Sequence, residues 1–283
     1  MKVTKKVTNV TTLTFGSVAS LIETSVSGAT TMRDADRNSR ENKRDISWDA
    51  GAGFDGSVTL ATSGWAAGAE VARNLAYKFV QRVRESHAEY AQPAFAASVV
   101  GSGVNVARHI AGRPDSMVRR VPVVMDRPVV HIVMSSAASS GIGGDAITAR
   151  GAAVTALIDL LELSGRRVRL TVVNTSSKND TALEIRVTVK RPEDRMQTDA
   201  IAFVSAHPAF LRRIIFGVME TAAPAVRQAI GINKRGGYGN PTPVQGDRGD
   251  VYVQEMSWSQ GWNDDNVNTW IEDMLRGQGV LAD

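Results

Sequence analysis

Cysteine is absent from all 283 residues. Disulfides and thiolate metal sites are therefore excluded, and the chain suits a reducing compartment. Long apolar runs are missing as well. No stretch of about 18 apolar residues occurs, so no membrane span is expected. The first twenty residues have no apolar core behind a basic start, so no secretory leader is expected either. Aromatic residues make up only 6% of the chain, few for a protein dedicated to stacking on bases. Neither charge sign dominates. Lys plus Arg number 33 against 29 acids and the pI is about 9.5, which permits a polyanionic partner without demanding one.

The groupings that carry chemistry are missing too. His87, His109, His131 and His207 are scattered, with no pair at the spacing of a helical zinc site. His131 lies within an apolar run and reads as a satisfied core histidine. Ser135–Ser140 lacks the Gly-x-Ser-x-Gly elbow of a hydrolase. Gly101-Ser102-Gly103 has no third glycine at dinucleotide-binding spacing and no following Lys-Ser/Thr of a P-loop. Asp145 and Asp159 share a predicted helix but stand about 21 Å apart, too far for paired-carboxylate chemistry. No nucleophile, base and orienting group come together, so a non-enzymatic protein without cofactor or metal is expected.

What is present is a strand–helix–strand pattern over Pro128–Thr175. Val129–Met134 is a β-branched apolar run, the mark of a strand buried on both faces. Asp145 can cap a helix carrying Ile147, Val154, Leu157, Ile158 and Leu161 at helical spacing, and Gly165 can end it. Val168–Val173 is the second strand, expected parallel to the first. Leu183–Lys190 alternates cleanly and reads as a half-exposed antiparallel return. The fold class is therefore α/β: a central mixed sheet with a βαβ unit (Val129–Val173) flanked by helices.

Around that unit, Met1–Phe15 reads as an edge strand and Ser17–Thr24 as a short helix. Met32–Asp49 reads as a mobile or partly disordered charged loop. Ser57–Thr62 is a candidate strand, and Trp65–Ser86 a helix with Val71, Leu75, Phe79 and Val83 inward. Ala94–Val100 and Val121–Met125 suit strands, and Ala200–Ser205 fits either strand or helix. Pro208 is placed to open a helix. Asn233–Gly249 is too rich in glycine and proline for regular structure. Val251–Val253 suits a last strand and Val267–Arg276 a terminal helix. The domain division is an N-terminal strand and loop over 1–56, then a single α/β domain over 57–283.

Cations fall largely off these apolar stripes: Arg73, Lys78, Arg82 and Arg84 on the first long helix, Arg119 and Arg120 before a strand, and Arg166 and Arg167 after Gly165. Arg212 and Arg213 interrupt the apolar positions after Pro208. Lys234 and Arg235 flank Tyr238, which with Trp65 is a candidate exposed aromatic. A basic surface with stacking rings is what a single-strand binder uses. These residues are the expected nucleic-acid contacts. With so small a net charge, extended basic surface implies a homo-oligomer.

Two likenesses follow. The central unit is similar to a von Willebrand factor A core, whose first strand ends in a magnesium-holding Asp-x-Ser-x-Ser. Here Met134-Ser135-Ser136-Ala137-Ala138-Ser139-Ser140 has no aspartate, so a version without the metal is implied. The stretches Val104–Val118, Pro128–Val173 with Arg150-Gly151-Ala152-Ala153-Val154, His207–Arg213, Tyr238-Gly239-Asn240-Pro241 and Gly249-Asp250-Val251-Tyr252 together resemble a family of phage-encoded proteins. That likeness runs from about Trp65 to the C-terminus. It implies a single-stranded-DNA-binding cofactor that brings a phage-encoded RNA polymerase to its promoters, and hence the host-cell cytoplasm. The alternatives are a protein–protein adaptor or assembly scaffold without nucleic-acid binding and, more distantly, a metal-independent nuclease or nucleotide-binding enzyme.

Overall fold

Thr12, Leu13, Thr14 and Phe15 alternate polar and apolar in β1 (Asn9–Phe15), which lies at one edge of the main sheet as expected. The computed structural model describes residues 7–33, 36–41, 46–85, 95–101, 103–120, 128–232, 237–256 and 264–281. Helix α1 (Val18–Ser27) starts where the Ser17 hydroxyl accepts the Ser20 amide at 3.2 Å. A single turn, α2 (Ile46–Asp49), precedes α3 (Gly53–Ser63). The candidate strand Ser57–Thr62 is thus helical. Ser57, Thr59, Thr62 and Ser63 each donate their hydroxyl to the carbonyl four residues back, which satisfies a β-prone run in helical form. In α4 (Ala66–Glu85) the buried positions are Ala69, Ala72, Ala76 and Phe79, while Val71 is 51% exposed. The inward stripe is therefore largely the alanines beside the expected valines, because small side chains let α4 approach the central helix closely.

A small antiparallel sheet follows, built from β2 (Phe95–Ser98), β3 (Gly103–Val104) and β4 (Met117–Arg120), with α5 (Val106–Ile110) between the last two. The expected strand at Val121–Met125 lies outside the described residues. The βαβ unit is β5 (Val129–Ser135), α6 (Gly144–Leu163) and β6 (Arg167–Lys178), its strands parallel with Val129 opposite Arg167. Gly143, not Asp145, is the N-cap; Asp145 sits in the first turn. Gly165 adopts φ +90°, and Gly165 and Arg166 donate to the carbonyls of Glu162 and Leu161, a Schellman ending.

The antiparallel strand β7 (Thr181–Lys190) returns through Asn179 at φ +56°. Residues 200–205 resolve as helix, within α7 (Thr198–Ala206). Past His207-Pro208 the chain winds as a π-helix over Phe210–Ile215 and continues into α8 (Phe216–Met219). Then come α9 (Pro224–Ile230), β8 (Asn240–Pro241), β9 (Val251–Val253) and α10 (Asp264–Gly277). The 233–249 loop is irregular where described, apart from the β8 pair.

The main sheet runs β1-β7-β6-β5-β9, with β8 pairing on β6. Its β6–β7 pair is antiparallel, while β1–β7, β5–β6 and β5–β9 are parallel, so the sheet is mixed as expected. On one face Ile132, Met134, Leu170, Val172, Ile185 and Val187 join the main core with the helices. Helix α6 also packs against α4, α7 and α10, which is why it is apolar almost all round. At Gly151 an added Cβ would meet the Ala206 Cα and Ser205 carbonyl oxygen at 2.2 Å, so only glycine admits α7 this close. On the other face a small cluster of Val133, Val173 and Val244 lies beside Tyr252. Strand β5 is thus buried on both faces from Ile132 to Ser135, as expected, and exposed only at Val129 where it begins. Among the described residues no single helix is long and apolar enough to cross a membrane. The α7–α8 pair reaches that length only by being counted together, and it is bent by 68°.

Candidate functional site

The arginines expected to face nucleic acid at the π-helix point inward. Arg213 is 1% exposed. Its Nε and Nη2 reach the Asp49 carboxylate at 2.7 and 2.5 Å, and its guanidinium lies 4.7 Å from the Trp48 ring centre. Arg212, also buried, donates to the carbonyls of Trp48 and Ile142. Tyr238 is not an exposed aromatic. It stacks on Phe216 at 3.8 Å and donates its hydroxyl to Glu220 Oε1 at 2.5 Å. Burial first, and Glu220 next, push that phenol far above its ordinary range. Trp65 packs against the core and edge-on to His207 at 4.7 Å.

The physical reason is long-range. The described parts of the 32–49 segment, expected to be mobile, cover that side of the helix. Where it is described it is pinned by buried charge. Glu220 accepts from Arg37 Nε at 2.8 Å, from the Ser39 amide at 3.0 Å and from the Ser39 hydroxyl. Arg213 also donates to the carbonyls of Ser39 and Glu41.

The remaining expected contacts are divided between two places. Arg73 and Lys78 are exposed on α4, with Arg73 paired to Asp199 at 2.7 Å. Arg166 and Arg167 are half-buried at the α6–β6 junction, bonded to the Gln278 carbonyl and to Glu162. Lys234 and Arg235 lie outside the described residues, as do the side chains of Arg82, Arg84, Arg119 and Arg120. No single basic face is formed by the described members of this set.

What the pinned segment does build is a cleft of about 420 Å³. It lies at the carboxyl ends of β5 and β6, where open α/β sheets receive ligands. Strand β6 supplies Asn174 and Ser176, the loop after β5 supplies Ala137 to Ser140, and the pinned segment supplies Asn38 and Trp48. The π-helix and α8 contribute Arg212 and Phe216, and the 237–241 loop contributes Tyr238 and Asn240. Ser140 and Asn240 are exposed at the rim, whereas Asn174 is 1% exposed. Asn174 Nδ2 donates to Ser136 Oγ and its Oδ1 accepts from Ser176 Oγ, both at 3.4 Å.

The described lining contains no Asp, Glu or His. The three described histidines, His109, His131 and His207, all lie elsewhere. His207 is held down at about 4 by burial, and its Nδ1 accepts the Ala209 amide at 3.2 Å. His131 is lowered by burial and then by Arg169. Its Nε2 pairs with Thr171 Oγ1 at 2.9 Å, and its Nδ1 lies 3.4 Å from Asp247. It is satisfied, as expected, but on the less covered face of the sheet. Among the described residues no three His, Asp or Glu side chains converge as metal ligands.

Sequence reasoning missed Asn38, Trp48, Asn174, Ser176 and Asn240. The small-residue loop after an apolar strand was the available signal, because it marks a switch point at a sheet's carboxyl edge. Residues 2–282 match the model of a family described as "Domain of unknown function (DUF7192)". No curated protein and no solved structure matches the chain.

Proposed function

The chain belongs to the DUF7192 family, and from that premise we propose that it is a non-enzymatic single-stranded DNA-binding protein. The observation that carries this reading is the cleft: aromatic rings, amides, hydroxyls and one guanidinium, with no carboxylate among the described lining. Bases offer π faces and hydrogen-bonding edges, and phosphates seek positive charge, so the ligand class matches the lining. The wider role, a phage transcription cofactor recruiting a phage-encoded RNA polymerase in the host cytoplasm, is supported by the ordered sequence likeness alone. The test is a salt titration of fluorescent single- and double-stranded oligonucleotides. Binding to the unstructured single strand should be tighter and should weaken linearly in log salt. No binding at low salt would remove the proposal.

A second reading, a protein–protein adaptor, is favoured by the small sheet. Val99, Val100, Val104, Val106 and Ile110 are all exposed there, Ile110 to 80%, and none joins the main core. So many aliphatics on some 26 residues suit an interaction face. Under the first reading the same face would instead pair two copies of the chain, since a homo-oligomer would multiply the modest basic surface. Salt-insensitive capture of a protein partner with no DNA retention would favour the adaptor reading over the first.

A further inference from the structure

We propose that the cleft at the ends of β5 and β6 holds one unpaired nucleobase by its donor–acceptor edge, with Asn174 reading that edge. This deepens the single-strand reading and rests on it. The argument begins with hydrogen-bonding capacity. A side-chain amide has two N–H donors and two acceptor lone pairs. At Asn174 one donor goes to Ser136 and one acceptor site to Ser176, both at a long 3.4 Å. Among the described residues one donor and one acceptor site of the amide take no further partner, in a group that is 1% exposed and lines the cleft. Both amide atoms keep a partner when the cleft is empty, and what they have left over is the capacity a guest would engage.

What remains is one donor and one acceptor, the two functions that a base edge also presents. Asparagine pairs bidentately with adenine for this reason. The walls agree with a planar guest. Trp48 and the stacked Phe216–Tyr238 pair flank the same space, and Arg212 places positive charge at its side. A volume of about 420 Å³ is in the range of small-molecule sites and admits a single nucleotide. A nucleobase with its phosphate can come from a free nucleotide or from a strand, and the cleft chemistry is common to both.

The experiment compares wild type, Asn174→Ala and Ser140→Trp by calorimetry and fluorescence anisotropy. The ligands are the four deoxynucleoside 5′-monophosphates and an unstructured 20-mer. Ser140 is exposed at the rim, so its tryptophan blocks the mouth without disturbing the core and serves if Asn174→Ala fails to fold. The expected result is about tenfold or greater loss of oligonucleotide affinity in each folded variant, the scale of a lost bidentate base contact. Asn174→Ala should also flatten preference among the four monophosphates. Oligonucleotide binding unchanged in both variants would overturn the cleft assignment and leave the single-strand reading standing. Monophosphates bound and lost in the variants, with the oligonucleotide no tighter, would support the cleft and overturn the single-strand reading in favour of a free nucleotide. No binding of either ligand would overturn both.

Discussion

The sheet-and-helix body and the small sheet over residues 95–120 place their side chains in opposite ways. In the body even arginines are internal: Arg150, Arg212 and Arg213 are all buried, and Glu220 is fully enclosed. In the small sheet valines and isoleucine stand outside, while Arg108 and Arg113 meet Asp115 at the surface. Burying a charge is tolerated only when partners satisfy it, and exposing an aliphatic cluster costs nothing only when a partner covers it. Residue type alone therefore misleads in both regions. The body's arginines look like ligands and are struts; the small sheet's aliphatics look like core and are surface.

The largest contrast should come from the strut. Arg213→Met leaves Asp49 buried without its partner and should cost about 3–5 kcal/mol in urea denaturation. If Arg213 were a surface DNA contact, stability would hardly change. Next is acidity. The His207 imidazole is near 6.5 when unfolded and about 4 when folded. Between those values the unfolded chain binds a proton that the folded chain refuses, so stability falls as pH drops from about 6.5 to about 4. The loss should reach up to about 3 kcal/mol. Asn at position 207 keeps an acceptor for the Ala209 amide, so His207→Asn should remove that part of the acid slope in pH-dependent unfolding. Gly151→Ala should follow at about 1–3 kcal/mol, because its Cβ would collide with the α7 backbone. Thermal melts would register it. The smallest stability effect belongs to the small sheet. Ile110→Asp should stay within about 0.5 kcal/mol of wild type, yet should reduce self-association in sedimentation velocity.

How much of this was legible in the sequence follows from the range of the interactions. The βαβ unit, the β7 return and the terminal helix are set by local periodicity and a glycine stop, and they stand where expected. Helix α3 was misread because Ser57 to Thr62 has strand composition, and only its backbonded hydroxyls and packing make it helical. The cleft was less legible. Asn174 closes an apolar strand run and Trp48 sits in a charged segment, and their meeting depends on the Asp49–Arg213 and Arg37–Glu220 pairs across more than 160 residues of chain. Arg212 and Arg213 were assigned outward for the same reason, since an apolar pattern does not disclose a distant segment folded over it.

The most direct measurement is photo-crosslinking of a 4-thiothymidine-substituted single strand to the wild-type protein, followed by peptide mapping. The predicted result is adducts on peptides carrying Trp48, Ser135–Gly141 and Tyr238–Pro241, lost in Ser140→Trp. Adducts confined to the 95–120 sheet or to the α4 arginines, and unaffected by Ser140→Trp, would contradict the assignment of the strand to the cleft.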